Sequence, residues 1–281
     1  VVLGPEVERL TADHERATRY SALDAGVTDF LTKPIDSREF RLRVRNMLAI
    51  QRSRKIIVDR AAWLEQEVAK RTEKIVAREL EMIMRLARAA EFRDPETGAH
   101  IQRMAHFSQL IAAGLGLEAA ECDLILKAAP MHDVGKIAIP DHILLKPGKL
   151  TTAEFDLMKR HAEYGYEIMR DGHSALLDMA AIIAWSHHEK YDGSGYPRAL
   201  AGEDIPLHGR IVAVADVFDA LTSSRPYKPA WPLEQAFEFL RNGSGTHFDP
   251  ACIDIFLDRA DSILEIQNRF RDEPNLQRVV I

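Results

Sequence analysis

Apolar residues recur at helical spacing over residues 38–90, a stretch that contains neither proline nor glycine. The stripe is made of Ile57, Ala61, Leu64, Val68, Ile75 and Met82. This pattern predicts one long helix. Arg71, Arg78 and Arg85 interrupt the other position of the heptad, so a coiled coil would need a stutter there. A solvated connector helix and a parallel dimer stalk are both compatible with this pattern, and the dimer is favoured.

Residues 91–281 lack the alternation of strands and repeat spacings of three and four instead. Leu124, Ala128 and Met131 predict one helix face, and Phe155, Met158 and Ala162 predict another. Thr151 and Glu154 form a capping box that opens the second of these helices. Loops are expected at 146–148, 192–195 and 242–245, where glycine recurs with Pro, Asp, Asn and Ser. This part of the chain is predicted to be mostly α.

The first 50 residues read differently, as strand and helix in alternation. A helix is expected over about 14–25, a short strand over 27–31 and a second helix over about 37–50. That order is typical of part of a parallel sheet. The expected fold class is therefore mainly α: a helical bundle preceded by a long linker helix and a partial α/β segment.

Composition narrows the functional classes. The chain has 281 residues, of which 46% are hydrophobic and 28% charged, as in ordinary globular proteins. Lys and Arg number 37 against 43 Asp and Glu, so a polycation built for a nucleic-acid polymer is not expected. No apolar run approaches the ~20 residues of a membrane helix, so no membrane span is expected. Two cysteines, Cys122 and Cys252, form no disulfide framework, which favours a cytoplasmic location.

Candidate metal ligands are spread over residues 96–216, a stretch that carries most of the 11 histidines. Glu96 and His100 are four residues apart and would share a helix face. Asp216 lies on an otherwise apolar helix face, where an unpaired carboxylate would be costly. The remaining candidates are His132, Asp133, His161, His187 and His188. On a helix, the adjacent His187 and His188 would diverge by about 100°, which suits two neighbouring ions better than one.

Ligands of this kind, without thiolates, favour Mn, Fe or Zn. Two or three such ions could bind a phosphodiester and acidify a water molecule. Lys136 could hold phosphate or protonate a leaving group, and Arg225 and Lys228 could balance phosphate charge. Any single histidine is more often structural, and we assign no role to His14, His106, His142, His173, His208 and His247. The combination of the other sites is what points to chemistry.

The motifs resemble the HD-GYP family, a branch of the HD metal-dependent phosphohydrolases. HDVGK at 132–136 matches its HD motif, and HHEKYDGSGYP at 187–197 matches its GYP motif. Flanking matches are DPETGAH at 94–100, ADVFDAL at 215–221 and RPYK at 225–228. The resemblance covers roughly residues 90–260. It implies an all-α HD bundle with two or three ions, usually iron or manganese, that hydrolyses cyclic di-GMP to pGpG and often to GMP.

Carried over position by position, the resemblance implies a set of ligands and substrate contacts. The ligands would be Glu96, His100, His132, Asp133, His161, His187, His188 and Asp216. Asp133 would bridge two ions, and Glu96 is associated with a third. Lys136 would act at the scissile phosphate. The other substrate contacts would be Arg225, Lys228, Tyr196 and Pro197, with Asp219 as a weaker candidate behind the ligands.

Residues 1–50 resemble the C-terminal half of a response-regulator receiver domain. The matches are TA at 11–12, AG at 25–26, DF at 29–30 and KP at 33–34. Residues 1–50 would then be a partial receiver without its phosphoacceptor half, 51–90 a linker and 91–281 the catalytic domain. This order implies a two-component response regulator, with a sensor kinase and a GGDEF-type synthase as partners and a homodimer through the linker. The alternatives are a hydrolase of a hybrid cyclic GMP–AMP and a non-catalytic cyclic di-GMP-binding module.

Overall fold

The computed structural model describes residues 34, 36–91, 98–172, 174–224 and 229–271. Within these ranges all regular structure is helical apart from isolated bridges between Asp192 and Ala201 and between Ser244 and Phe248. The mainly α prediction is therefore confirmed. The expected strand and helix within residues 1–33 lie outside the described residues, as do Glu96, Arg225 and Lys228. No helix in the described ranges is both long and apolar enough to cross a membrane.

The predicted long helix is present as α1, Ser37–Glu91. Asp36 caps its first turn, because its Oδ1 accepts the backbone N–H groups of Arg38 and Glu39, both at 2.8 Å. Three Glu–Arg pairs four residues apart, Glu39–Arg43, Glu67–Arg71 and Glu81–Arg85, support it in the favourable order. The chain separates into two compact units between Val76 and Ala77. The predicted domain boundaries and the dimer stalk stay predictions.

Ten shorter helices follow within the described residues from Gly98 onward. They are α2 Gly98–Gly114, α3 Ala119–Ala128, α4 Asp141–Leu144, α5 Thr152–Lys159, α6 His161–Met169, α7 Ala175–Ser186, α8 Leu207–Thr222, α9 Leu233–Asn242, α10 Pro250–Leu257 and α11 Ala260–Arg269. Short 3-10 turns occur at Ala129–Met131, Val134–Ala138 and Gly202–Asp204. The expected loops at 146–148 and 192–195 lie between helices, and Gly243–Gly245 forms a turn after α9.

The core of the second unit fixes the helices that carry the candidate ligands. Phe107 on α2, Phe218 on α8 and Phe256 on α10 are fully buried and meet edge to face, with ring centroids 4.9–5.7 Å apart. Aromatic pairs in this geometry contribute beyond the area that they bury. Because His100 lies on α2 and Asp216 on α8, the same packing that builds the core holds these two side chains near each other.

The single helix predicted through Phe155, Met158 and Ala162 is wrong. The helix is interrupted at Arg160. His161, which was expected inside the capped helix, is therefore the first residue of α6. Nδ1 of His161 lies 2.7 Å from the carbonyl oxygen of Met158. In a continuous helix this carbonyl would instead accept the backbone N–H of Ala162. Ala162 is buried as expected, but Phe155 is exposed.

The capping box at the start of α5 is confirmed and yields a stability prediction. Thr151 Oγ1 accepts the N–H of Glu154, whose carboxylate in turn accepts the N–H of Thr151 at 2.7 Å. Hydrogen bonds from Lys146 and then from Thr151 lower the pKa of Glu154 to about 2. We expect Thr151→Ala to reduce the free energy of unfolding by about 1 kcal/mol in a urea titration, because an orphan N–H loses its acceptor. The neighbouring Thr152→Ala, which removes no cap, should stay within about 0.5 kcal/mol of the wild type. Equal effects of the two changes would contradict this account.

Candidate metal centre

The His132–Asp133 pair lies between the 3-10 turns Ala129–Met131 and Val134–Ala138. The second turn packs closely on α6. At Gly135 an added Cβ would overlap the carbonyl oxygen of His161 and the amide nitrogen of Gly165, so only glycine permits this approach. The contact brings Asp133 beside His161, although the two residues lie on different elements.

Seven predicted ligands come together in two groups. The first cluster consists of Asp133, His161, His187 and His188, and the second cluster consists of His100, His132 and Asp216. Within each cluster, the ligand atoms all lie within 4.8 Å of one another. Of the residues that the structure describes, every one predicted from the sequence as a metal ligand belongs to one of these clusters. Their ligand roles remain a proposal, taken up below.

Asp133 faces both clusters at once. Its Oδ1 lies 3.2 Å from Nε2 of His161 and 3.7 Å from Nε2 of His187. Its Oδ2 lies 3.1 Å from Nε2 of His132, in the second cluster. A carboxylate in this position can give one oxygen to each of two ions. The geometry therefore fits the bridging role expected for Asp133.

Four of the imidazoles are held in one orientation. Nδ1 of His132 faces the carbonyl oxygen of Ala129 at 3.0 Å, and Nδ1 of His161 faces that of Met158. Nδ1 of His187 faces carbonyl oxygens of the preceding helix α7, and Nδ1 of His100 faces a carboxylate oxygen of Asp219 at 2.8 Å. An acceptor at Nδ1 keeps the proton of the neutral imidazole there, so that Nε2 is left to bind a metal ion, as in metal-binding histidines.

Buried polar atoms without a hydrogen-bond partner show whether the two clusters suit divalent cations. In the described part of the chain, Nε2 of His132, His161 and His187 and Oδ1 of Asp133 are buried without a partner in hydrogen-bond geometry. Such atoms are costly unless something satisfies them. All of them are nitrogen or oxygen donors directed into the clusters, a set that suits first-row divalent metals. The residues present therefore fit divalent metal ions.

The electrostatics of the site also favour cations. Burial would raise the pKa of Asp133, but Lys136 and His132 hold it well below its usual range, so the group is a carboxylate. Burial would lower the pKa of His132, but the carboxylates of Asp133 and Asp216 outweigh burial and raise it to about 10. Burial keeps the pKa of His188 well below its usual value. The site thus offers neutral imidazole at His188 and stabilises positive charge beside Asp133.

The placement of His187 and His188 corrects the sequence analysis. Helix α7 ends at Ser186, so the 100° step of a helix does not apply to this pair. Their rings lie 4.0 Å apart and both belong to the first cluster. The expectation that they serve two different ions is therefore not supported by the structure, because the turn after α7 directs both rings to one place.

Asp219 lies behind the second cluster and is fully buried. Its carboxylate bonds to His100 and accepts hydrogen bonds from the Arg103 guanidinium at 2.5 and 3.0 Å. Burial would raise the pKa of Asp219, but His100 and Arg103 hold it low. This position fits a role in orienting His100 and does not fit the expected contact with substrate. Sequence analysis missed Arg103, whose signal was a charge three residues after His100 on an apolar helix.

The loop of residues 189–200 covers one side of the first cluster. The ring of Tyr196, in this loop, stacks on His188 with centroids 4.7 Å apart. The backbone N–H of Tyr196 donates to the carbonyl oxygen of His188. The buried Glu189, also missed as a functional residue, accepts the N–H groups of Arg198 at 2.7 Å and Leu200 at 3.0 Å. Pro197 lies in this loop after Tyr196. Glu189 therefore ties the two ends of the loop together and holds Tyr196 against a candidate ligand.

We expect Glu189→Gln to destabilise the protein by about 1–3 kcal/mol, because the new amide group cannot accept from both N–H groups and leaves one of them unsatisfied. Denaturant unfolding measures the loss. Glu163→Gln, a change at an exposed position of α6, is the matched control and should shift stability by less than about 0.5 kcal/mol. A Glu189→Gln protein as stable as this control would show that the loop does not depend on the carboxylate.

Lys136 lies next to the bridging carboxylate. Its Nζ is 2.7 Å from Oδ2 of Asp133, and its side chain is mostly buried. An ammonium group here can both hold Asp133 and face an anion that approaches the clusters. The rings of His106 and His208 lie outside both clusters, where they bond to the carbonyl oxygen of Gln102 and to Glu121.

Known proteins are similar to this chain over the part that holds both clusters. A family model described as HD domain matches residues 58–252. The cyclic di-GMP phosphodiesterase response regulator RpfG of Xanthomonas campestris pv. campestris is 48% identical over 261 residues, which cover 93% of this chain and 69% of RpfG. A probable cyclic di-GMP phosphodiesterase of Vibrio cholerae is 40% identical, covering 89% of this chain and 60% of that protein.

Two further matches come from Vibrio cholerae. Its 3'3'-cGAMP-specific phosphodiesterase 2 is 48% identical over 192 residues, covering 68% of this chain and 37% of that protein. The crystal structure of a cyclic GMP–AMP-specific phosphodiesterase, V-cGAP3, is 21% identical with a TM-score of 0.50, covering 70% of this chain and 54% of that one. At this identity the likeness concerns the fold alone. The chain thus spans between about one third and about two thirds of the length of the curated relatives it matches.

Proposed function

The chain belongs to the HD-domain family, and from this membership we propose that its two clusters hydrolyse cyclic di-GMP to pGpG and onward to GMP. One observation carries the proposal: the ionised carboxylate of Asp133 presents one oxygen to each of two buried ligand clusters. The names of RpfG and of the probable Vibrio cholerae phosphodiesterase support cyclic di-GMP as the substrate.

The residues divide the chemistry among them. Divalent ions, when bound, supply Lewis acidity at the phosphodiester and acidify water at neutral pH. His161, His187 and His188 would hold one ion and His100, His132 and Asp216 the other, with Asp133 contributing to both. Lys136, beside Asp133, would face the negative charge of the scissile phosphate. Tyr196, stacked on His188, would shield that side of the first cluster from solvent.

We propose iron or manganese as the metal and two or three ions as the number. The nitrogen and oxygen donors of both clusters support first-row metals of this kind. Glu96 is proposed as a ligand of the third ion, and Arg225 and Lys228 as cations that clamp the substrate phosphates. Pro197 is proposed to shape the base-facing loop beside Tyr196.

A second candidate substrate is the hybrid 3'3'-cGAMP, because a phosphodiesterase named for it is 48% identical to this chain over 192 residues. Product chromatography with the full chain, loaded with Fe²⁺ or Mn²⁺, separates the two candidates. We expect faster loss of cyclic di-GMP, with pGpG as the first product. Faster loss of 3'3'-cGAMP would support the second candidate, and loss of neither would count against both.

The wider organisation is proposed on the same basis. Residues 1–50 would be a partial receiver, 51–90 a linker that pairs two copies of the chain, and 91–281 the phosphodiesterase. A sensor kinase is proposed as the partner of a receiver that includes the phosphoacceptor half, and a GGDEF-type synthase would supply the substrate. The apolar stripe of α1, exposed at Ile57, Leu64 and Val68, is the surface that would form the dimer.

A further inference from the structure

An exposed aromatic ring lies next to the loop that covers the first cluster. Phe155 on α5 keeps 45% of its surface exposed. Its ring meets Tyr196 edge to face, with centroids 6.4 Å apart at 81°. Tyr196 in turn stacks on His188 of the first cluster. Phe155 is therefore separated from a candidate ligand by a single aromatic side chain.

A cation accompanies this ring. Nζ of Lys159 lies over the Phe155 ring, 5.0 Å from its centroid, and is held 2.7 Å from Oδ1 of Asp156. Nucleotide-binding surfaces commonly pair an aromatic face, on which a base stacks, with a nearby positive charge. A ring and an ammonium group on one face of α5 match that chemistry.

Burial in the core does not account for an aromatic side chain at this position. Helix α5 contributes no buried residue to the core, and it is fixed instead by its capping box and by the two hydrogen bonds from Lys146 to Glu154. Because the helix breaks at Arg160, Phe155 does not share a buried face with Ala162. The ring is thus exposed on a helix whose position is set by polar contacts.

We propose that Phe155 is a stacking platform for one purine base of the cyclic dinucleotide, with Lys159 beside it. The identity of the ligand rests on the proposed function, since a base lies one sugar away from the phosphodiester that the clusters would hold. The ring of Tyr196 then lies between the metal ligand His188 and the base that stacks on Phe155.

Equilibrium binding to the full chain, loaded with Mn²⁺, tests the platform without requiring turnover. The probes are GMP, which carries a base, and inorganic phosphate, which does not. For Phe155→Leu we expect a Kd for GMP about tenfold higher than that of the wild type, equivalent to about 1.4 kcal/mol and within the range of base stacking. The Kd for phosphate should stay within about twofold. Phe155→Trp should bind GMP as the wild type does.

Leu157→Ala is the matched control, because Leu157 is a similarly exposed apolar residue on the same helix. It should leave the Kd for GMP unchanged. The proposal is overturned if Phe155→Leu binds GMP as tightly as the wild type, if Leu157→Ala weakens it equally, or if Phe155→Leu loses bound metal. Loss of metal would indicate a structural role for the ring.

The KM for cyclic di-GMP separates this proposal from the proposed function. If the wild type hydrolyses cyclic di-GMP, Phe155→Leu should raise KM by a larger factor than it lowers kcat. An unchanged KM would overturn the platform and leave the proposed function intact. If the wild type does not hydrolyse cyclic di-GMP but GMP binding still requires an aromatic residue at 155, the proposed function fails and the base platform stands.

Discussion

Replacing Asp133 by Asn is expected to lower the rate of cyclic di-GMP hydrolysis by about three orders of magnitude or more. The change keeps the shape of the side chain but removes the charge that faces both clusters. Lewis-acid stabilisation is worth several kcal/mol, and each 1.36 kcal/mol corresponds to a tenfold change in rate. Steady-state product chromatography at saturating Mn²⁺ measures the loss, and elemental analysis should show less metal per chain than in the wild type.

Asp123→Asn is a suitable control, because Asp123 is an exposed carboxylate on α3, with an oxygen 3.5 Å from Nζ of Lys127. It should retain both activity and metal. An Asp133→Asn protein with full metal content and wild-type turnover would contradict the bridging role. If Asp133→Ala abolished turnover while signalling in the cell survived, the chain would act there as a binding module.

Replacing Asp219 by Ala is expected to destabilise the protein by about 3–5 kcal/mol. The change removes the carboxylate that accepts hydrogen bonds from the buried Arg103 guanidinium, and it removes the acceptor at Nδ1 of His100. Breaking a buried pair by deleting one partner costs this much because the remaining charge stays in a low-dielectric environment. Denaturant unfolding measures the change in stability. The affinity of the second cluster for metal should also fall, by about 10–100-fold.

Two comparisons sharpen this prediction. Asp254→Ala, at an exposed position of α10, should change stability by less than about 0.5 kcal/mol. Asp219→Asn retains one acceptor oxygen and should cost less than Asp219→Ala. A loss below about 1 kcal/mol for Asp219→Ala would show that Arg103 finds other partners and that the buried pair does not stabilise the fold.

Features set by neighbouring residues could be predicted from the sequence. The long helix α1 follows from a stretch without proline or glycine, and the capping box needs only Thr151 and Glu154. The candidate ligands could be chosen from the helical spacing of Glu96 and His100, the apolar surroundings of Asp216 and the match to the HD and GYP motifs. The described members of that set do come together in the structure.

Features set by distant contacts could not be predicted. The break at Arg160 depends on how the His161 ring and Gly135 pack, and the shared direction of His187 and His188 depends on where α7 ends. Arg103 was missed because its partner Asp219 lies 116 residues away. A pattern read along one helix identifies a buried charge, but only the fold identifies what neutralises it.

The central claim is that Asp133 joins two metal sites, and electron paramagnetic resonance of the Mn²⁺-loaded chain tests it most directly. Two Mn²⁺ ions that share a carboxylate are magnetically coupled, whereas isolated ions are not. We predict at least two Mn²⁺ per chain by elemental analysis and a coupled spectrum that Asp133→Asn abolishes. A single ion per chain, or an uncoupled spectrum in the fully loaded wild type, would contradict the account.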